Sequence, residues 1–584
     1  MTLKLTGAQA LVRLLAAEGV PFAFGIVGGK LAPLLHALSQ QSAVRFIGVR
    51  HEASGPMMAA AAMAGSGRLC VALGEMGPGA LNLAAGMGGP FNNHQPLLAI
   101  TTNQHRAAAY PHAGMFMDLD TRAVLAPLTR WNAVVHDGRR LPELVRTAFR
   151  EALGGRPGPV HLDIPQDVLA APVEFADDEF DVTPQRYRTL RGARPAAADV
   201  DAACALLRQA RRPLIVAGGG VVASGDAAVQ ALRELAARLG APVLPTQMAL
   251  GVVAGDSAHF IGHGGLIAGP PVWRAIEQAD VIVSAGCRWS SWMWDEQGPL
   301  ARRRHKVIAI NTDPSALGAP VLHEVAMQAD AALALADLLD TLGHKQALNV
   351  EADWLHGLKA LRSAHAAELA AMVGSSEGDS SDGDSDATMH PAALAHAVAQ
   401  AMPTDALATF DGGHTSFWSN DLTPVHSVRT RLHEPGMSQL GFGLPAALAL
   451  QLLHPGRAVF NLTGDGSFGF TLVELDSARR HGLPVINVIH NNEAWGIIRQ
   501  GQRKQFDFDL GTGLEGTDYA AIARGFGCHG ERVTQVHDVG PAIARALSSG
   551  LPAVLDCRTR FVPHPCMPGF GSMNRFGFEA ARAG

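Results

Sequence analysis

The sequence predicts an α/β protein made of three doubly wound parallel-sheet domains. A chain of 584 residues is several times the usual domain length and must hold more than one core. Along each third, short apolar runs alternate with amphipathic helical stretches, the pattern of a parallel sheet covered on both faces. Two changes of composition separate the thirds. An acidic stretch ending at Asp181 gives way to arginine, proline and alanine over Pro184 to Ala198, and the tract GSSEGDSSDGDSD begins at Gly374. The expected units are residues 1–185, 190–370 and 389–584, with 374–388 an acidic, flexible linker too poor in apolar groups to order itself.

The elements follow in chain order. Thr6-Gly7-Ala8-Gln9 leads into Leu11, Leu14 and Leu15 and the stretch stops at Gly19, which predicts a capped amphipathic helix and lacks the layout of a signal peptide. Strands are expected at Leu69 to Leu73 and Pro96 to Thr101. In the second unit Leu214 to Ala217 forms a strand, Gly218-Gly219-Gly220 a turn, and Ala228 to Leu239 a helix, with further strands at Val281 to Val283 and Val307 to Ile310. In the third, strands at Ala458 to Leu462 and Val485 to Ile489 flank a helix from Thr471 to His481.

Composition removes several function classes. The formal net charge of -6 provides no basic surface to neutralise phosphates, so no nucleic-acid partner is expected. No apolar run reaches the roughly 20 residues that span a bilayer, so no membrane partner is expected. The six cysteines are scattered without a CxxC pair, which fits free thiols in a reducing, cytoplasmic setting.

Chemistry concentrates in the third unit. Gly464-Asp465-Gly466-Ser467 follows one strand and Asn491-Asn492 follows the next; 492 − 465 is 27 positions, one βαβ crossover that returns the second turn to the same sheet edge. A diphosphate needs a hard cation with about six oxygen ligands, several of them from the phosphates. Asp465 offers a charged ligand, the Asn492 side chain a neutral one and the Ala494 carbonyl a third. Gly464 and Gly466 let the backbone approach the ligand, and the helix after Ser467 presents amides to the anion.

The stretch GDGSFGFTLVELDSARRHGLPVINVIHNNEAWG resembles the diphosphate-binding signature of the thiamine diphosphate-dependent decarboxylase and carboligase superfamily, acetolactate synthase-like and benzaldehyde lyase-like. Trp495 stands where many relatives carry tyrosine. Further motifs agree along the chain: Phe24 to Gly29 resembles the FGxPGG turn with Val27 for proline, and Gly77 to Asn82, including Pro78, resembles the GPGxxN loop beside the pyrimidine. Gly158 to Pro165 resembles the end of the family's first domain.

The resemblance implies pyrimidine-binding, middle and diphosphate-binding domains, with thiamine diphosphate and Mg2+ as cofactors. It implies that Glu52, in Val49-Arg50-His51-Glu52, shares a proton with the pyrimidine so that the ring can remove the thiazolium C2 proton. It puts Gly413, His414 and Thr415 of Asp411 to Thr415 near the diphosphate, with Ser438 and Leu440 in the segment whose bulky residue wedges between the cofactor rings; Leu440 is that wedge.

His94 falls at a catalytic histidine of benzoylformate decarboxylase-like enzymes, where a near-neutral pKa suits proton transfer. A loop histidine bonded to backbone is the alternative. For the substrate pocket, Gly29 and Lys30 suggest an open acceptor site with a carboxylate anchor, and Phe116, Met117 and Trp495 an apolar lining. The middle-domain GGG turn suits FAD or ADP, and equally plain packing. The cluster Arg302 to Lys306 suits a solvated helix face, and Trp289, Trp292 and Trp294 suit domain packing.

The expected activity joins a 2-oxo acid donor to an aldehyde or ketone, or decarboxylates the acid, forming 2-hydroxy ketones. The alternatives are an acyl-CoA lyase or decarboxylase of the oxalyl-CoA decarboxylase type, closed by Phe561 to Phe578, and a noncatalytic regulatory module that retains the fold. A nicotinamide dehydrogenase fits poorly, because GGGVVASGD lacks the dinucleotide fingerprint. The resemblance also implies a homodimer or homotetramer, with each site built between two subunits.

Overall fold

A computed structural model describes residues 2–109, 114–265, 267–290, 293, 300, 304–343, 348–374 and 388–565. Three parallel sheets carry the fold. The first runs in the order 45–48, 22–25, 71–74, 98–103, 160–165, 131–134; the second 243–245, 213–217, 281–285, 306–311, 325–328; the third 431–433, 407–411, 459–464, 486–491, 553–558, 529–533. Thr2–Thr6 and Pro172–Ala176 add a two-stranded antiparallel ribbon. The expected fold class is therefore the observed one.

The central strands are buried along their whole length, Val459–Gly464 and Ile486–Asn491 among them. Polar side chains between these two strands pair inside the sheet, as where Asn461 donates to Asn487 at 2.9 Å. The first helix, Gly7–Ala17, has the expected cap, with Thr6 and Gln9 forming a reciprocal capping box. Observed strand ends depart from the expected ones by two residues or fewer at each of the seven predicted strands.

The helix expected over 471–481 starts three residues later, at Glu474–His481, and a separate short helix, Asp465–Thr471, precedes it. Gly466 and Gly469 weaken the local helical signal by roughly 1 kcal/mol each relative to alanine. Packing overrides that cost: Phe468 is buried edge-on against Tyr519, with ring centroids 5.8 Å apart.

The first and third domains share one core. The alanine-rich helix Ser54–Ser66 packs on Gly443–Leu453, and a Cβ at Gly65 would come within 2.9 Å of Leu450. The helix Trp354–Gly374 leads to the acidic tract, of which residues 375–387 lie outside the described residues, as do Trp292, Trp294, Arg302, Arg303 and everything from 566 on. Trp289 is buried in the middle-domain core. Among the described residues no helix is long and apolar enough to cross a membrane.

Candidate functional site

Asp465 opens a helix at the carboxyl end of Val459–Gly464, and Asn492 follows Ile486–Asn491, the neighbouring strand in the same sheet. Their oxygens converge on one N–H: the Ala494 amide donates to Asp465 Oδ2 at 3.2 Å and to Asn492 Oδ1 at 3.1 Å. A charged and a neutral oxygen thus stand side by side. Asp465 also accepts the Gly466 amide at 2.9 Å, while the Tyr519 hydroxyl donates to its backbone carbonyl at 3.0 Å. Burial pushes the Asp465 carboxyl up to about 6 against the pull of these amides. No hydrogen bond from a cationic side chain to this carboxylate occurs among the described residues, so an added divalent cation would relieve a buried charge with hard oxygen ligands.

The glycines explain how close the surrounding turns come. Gly412 has φ +97°, and a Cβ there would lie 2.9 Å from Ser467 Oγ; one on Gly464 would lie 3.2 Å from Thr415 Oγ1. The turns at 411–415 and 464–467 therefore pack against each other. Trp495 covers Gly466, where a Cβ would meet its ring at 2.4 Å, and Phe470 stands edge-on to that indole at 6.0 Å. His414 is buried, with Nδ1 facing the His564 amide at 3.4 Å and burial lowering its pKa to about 4. Ser438, with φ +50°, is exposed; Leu440 is half-buried and precedes Gly441, whose carbonyl accepts the Thr471 hydroxyl at 2.9 Å. That bond brings the segment 438–441 to the end of the Asp465–Thr471 helix.

A second cluster forms in the first domain. Glu52 is 8% exposed, and Asn82 Nδ2 donates to its Oε2 at 3.0 Å. Asn82 lies on the helix Pro78–Asn92, which begins at Pro78 after Gly77 with φ +62°. A Cβ on Gly79 would sit 3.1 Å from Glu52 Oε1. Gly29 faces open space, while the Lys30 ammonium is engaged by Gln166 Oε1 at 2.9 Å. Met117, with φ +62°, packs its backbone over Gly77, and Phe116 is 84% exposed.

Sequence reasoning missed Glu75. Its carboxylate accepts the Lys30 and Leu31 amides and the Thr102 hydroxyl, and occupies the place of a Gly28 side chain. It also missed Tyr519, which no motif marks because its role rests on a contact across 54 positions.

His94 stands elsewhere, and the expected near-neutral titration does not hold. Its ring lies between two guanidinium groups, Arg156 Nε at 3.1 Å from Nδ1 and Arg288 Nη1 at 2.9 Å from Nε2. Desolvation first, then Arg288 and Arg156, lowers its pKa to about 3. His94 lines a cavity of about 650 Å³ between the three domains, with Gly219, Asn311 and Arg429 among its other walls. The GGG turn has a packing reason: a Cβ at Gly218 would meet the Gly286 carbonyl at 2.1 Å, and one at Gly220 the Gly286 Cα at 2.7 Å.

Three family models cover the three domains. Residues 5–124 match the N-terminal TPP binding domain of thiamine pyrophosphate enzymes, 200–338 their central domain and 411–557 their C-terminal TPP binding domain. An acetolactate synthase large subunit of Parasynechococcus marenigrum is 30% identical over 563 residues, covering 95% of this chain and 88% of the relative. A probable 2-ketoarginine decarboxylase of Pseudomonas aeruginosa is 32% identical over 529 residues, with 90% and 89% covered. The large subunit of acetolactate synthase isozyme 2 of Escherichia coli is 29% identical, with 94% and 95% covered. Matched in all three domains and by relatives over almost its full length, the chain belongs to the thiamine pyrophosphate enzyme family, as a cofactor-dependent enzyme of its acetolactate synthase-like carboligase and decarboxylase group.

Proposed function

We propose that the enzyme takes a 2-oxo acid as donor, releases its carboxyl group as carbon dioxide and joins the remaining acyl unit to an aldehyde or ketone, giving a 2-hydroxy ketone. The convergence of the Asp465 and Asn492 oxygens on the Ala494 amide carries this reading. Asp465, Asn492 and the Ala494 carbonyl would hold Mg2+, and Gly464, Gly466, Ser467, Gly413, His414 and Thr415 the diphosphate. When bound, thiamine diphosphate supplies the carbon nucleophile and the electron sink. Glu52, oriented by Asn82, holds the proton exchanged with the pyrimidine, and Leu440 bends the cofactor. Pro78, Gly29, Lys30, Phe116, Met117 and Trp495 shape the pocket. The names of the relatives, acetolactate synthase and 2-ketoarginine decarboxylase, support a 2-oxo acid donor.

Each complete site is assembled between two copies of the chain, in a homodimer or homotetramer. Among the described residues the Glu52 and Asp465 side chains share no hydrogen bond or ion pair, although Glu474 of the third domain accepts the Arg50 and His51 amides of the Glu52 turn. Both clusters carry exposed large apolar side chains, Val27 and Phe116 near the first, Phe470 and Leu510 in the domain of the second. A second copy that covers them completes the site. The interdomain cavity has the volume and the arginines for FAD or ADP. The five described cysteines are free and buried, which suits the cytoplasm.

Purified protein with thiamine diphosphate and Mg2+ is to be given a panel of 2-oxo acids with aldehyde and ketone acceptors. Carbon dioxide and a hydroxy ketone are expected, with turnover lost in Glu52→Gln. Absence of both products across the panel overturns the reading.

A further inference from the structure

The turn that presents Glu52 is not held by its own domain alone. The following helix, Ser54–Ser66, has no side-chain cap at its start. Instead the helix Glu474–His481, inside the signature stretch in the third domain of the same chain, grips it. Glu474 is fully buried; its Oε1 accepts the Arg50 and His51 amides, each at 3.1 Å, and its Oε2 the Arg50 amide at 3.1 Å and the Ser477 hydroxyl at 2.6 Å. Around it, Arg480 Nη2 donates to the Gly48 carbonyl at 3.1 Å, the His481 ring lies 3.1 Å from the same carbonyl, and Arg50 faces Asp476 at 3.7 Å.

We propose that Glu474 is a positioning residue for Glu52, an inference that rests on the role given to Glu52 above. The geometry is specific. The amides of residues 50 and 51 are the two that precede Glu52, and two bonds to one carboxylate fix the peptide planes that set its Cα. A neutral acceptor would hold them less firmly, because hydrogen bonds to an ionised oxygen are roughly twice as strong as neutral ones. Geometric precision matters at this carboxyl, since a displacement of about 1 Å at a reacting group can cost on the order of a hundredfold in rate. Glu474 touches neither cofactor half-site in this arrangement; it acts through the backbone of the 50–51 turn.

The test compares wild type with Glu474→Gln, Glu474→Ala and Glu52→Gln by three readouts. These are hydrogen–deuterium exchange of the 48–54 peptide without cofactor, thiamine diphosphate affinity by calorimetry with Mg2+, and the exchange rate of the bound cofactor's C2 proton by NMR. For Glu474→Gln the peptide is expected to lose protection. Its C2 exchange is expected to slow about tenfold or more while affinity stays within about threefold, and Glu474→Ala is expected to go further. Unchanged C2 exchange in Glu474→Gln overturns the proposal, as does a fall in affinity and thermal stability that runs parallel with the exchange. If Glu474→Ala does not fold, Glu474→Gln alone decides. Unchanged exchange in Glu52→Gln instead overturns the reading of Glu52, which separates the two failures.

Discussion

Trp495 lies across Gly466: a Cβ at position 466 would come within 2.4 Å of the indole. The glycine between Asp465 and Ser467 therefore makes room for the ring, beside the turn proposed to hold the diphosphate.

Gly466→Ala should displace that indole. Uptake of thiamine diphosphate with Mg2+ is expected to weaken about tenfold or more, read by calorimetry, with indole fluorescence shifting to a more exposed spectrum. The companion change Trp495→Phe, which removes the colliding ring edge, should recover much of the loss.

Replacing Asp465 by alanine removes the charged member of the oxygen pair. Cofactor binding is expected to lose its dependence on Mg2+ and fall by about a hundredfold or more, measured by titration at fixed metal. The metal-free protein should be no less stable thermally than wild type. In wild type the Asp465 carboxyl, raised by burial from 3.8 to about 6, favours the folded state below pH 3.8, and that contribution is lost as the pH rises through 6.

Glu434→Ala should loosen the contact between the first and third domains. This buried carboxylate accepts Asn93 Nδ2 at 2.6 Å and the amides of Met437 and Gln439 at 2.9 and 2.7 Å. Three donors left without a partner cost about 1–3 kcal/mol each when water cannot reach them. A melting temperature lowered by several degrees is expected, together with weaker cofactor binding, because Ser438 and Leu440 ride on the same loop.

Acid should destabilise the fold through its buried imidazoles. His161 and His490 are held near a pKa of 3 by burial, against 6.5 for an exposed ring. The folded state binds fewer protons, so their contribution is complete above pH 6.5 and is lost as the pH falls toward 3. Each contributes a slope of about 1.4 kcal/mol per pH unit in that window. Urea titrations of wild type and His161→Gln should show the gap in their midpoints closing between pH 6.5 and 4.

The sequence by itself determined the three-layered α/β plan and the Asp465–Asn492 pair. Alternating strand and helix patterns are local, and the two residues follow neighbouring strands one crossover apart, so the spacing alone places them on one edge. Glu52 and Asn82 were each legible only through resemblance to short family motifs, and the bond between them came from the structure. The tertiary structure alone decided the rest. The helical start of GDGSFGF depends on Phe468 finding Tyr519, and the state of His94 on Arg156 and Arg288, which arrive from 62 and 194 positions away. The hold of Glu474 on the Glu52 turn spans more than 420 positions. Such contacts leave no periodicity or spacing in the chain, because they form only when separately folded layers bury their apolar faces against one another.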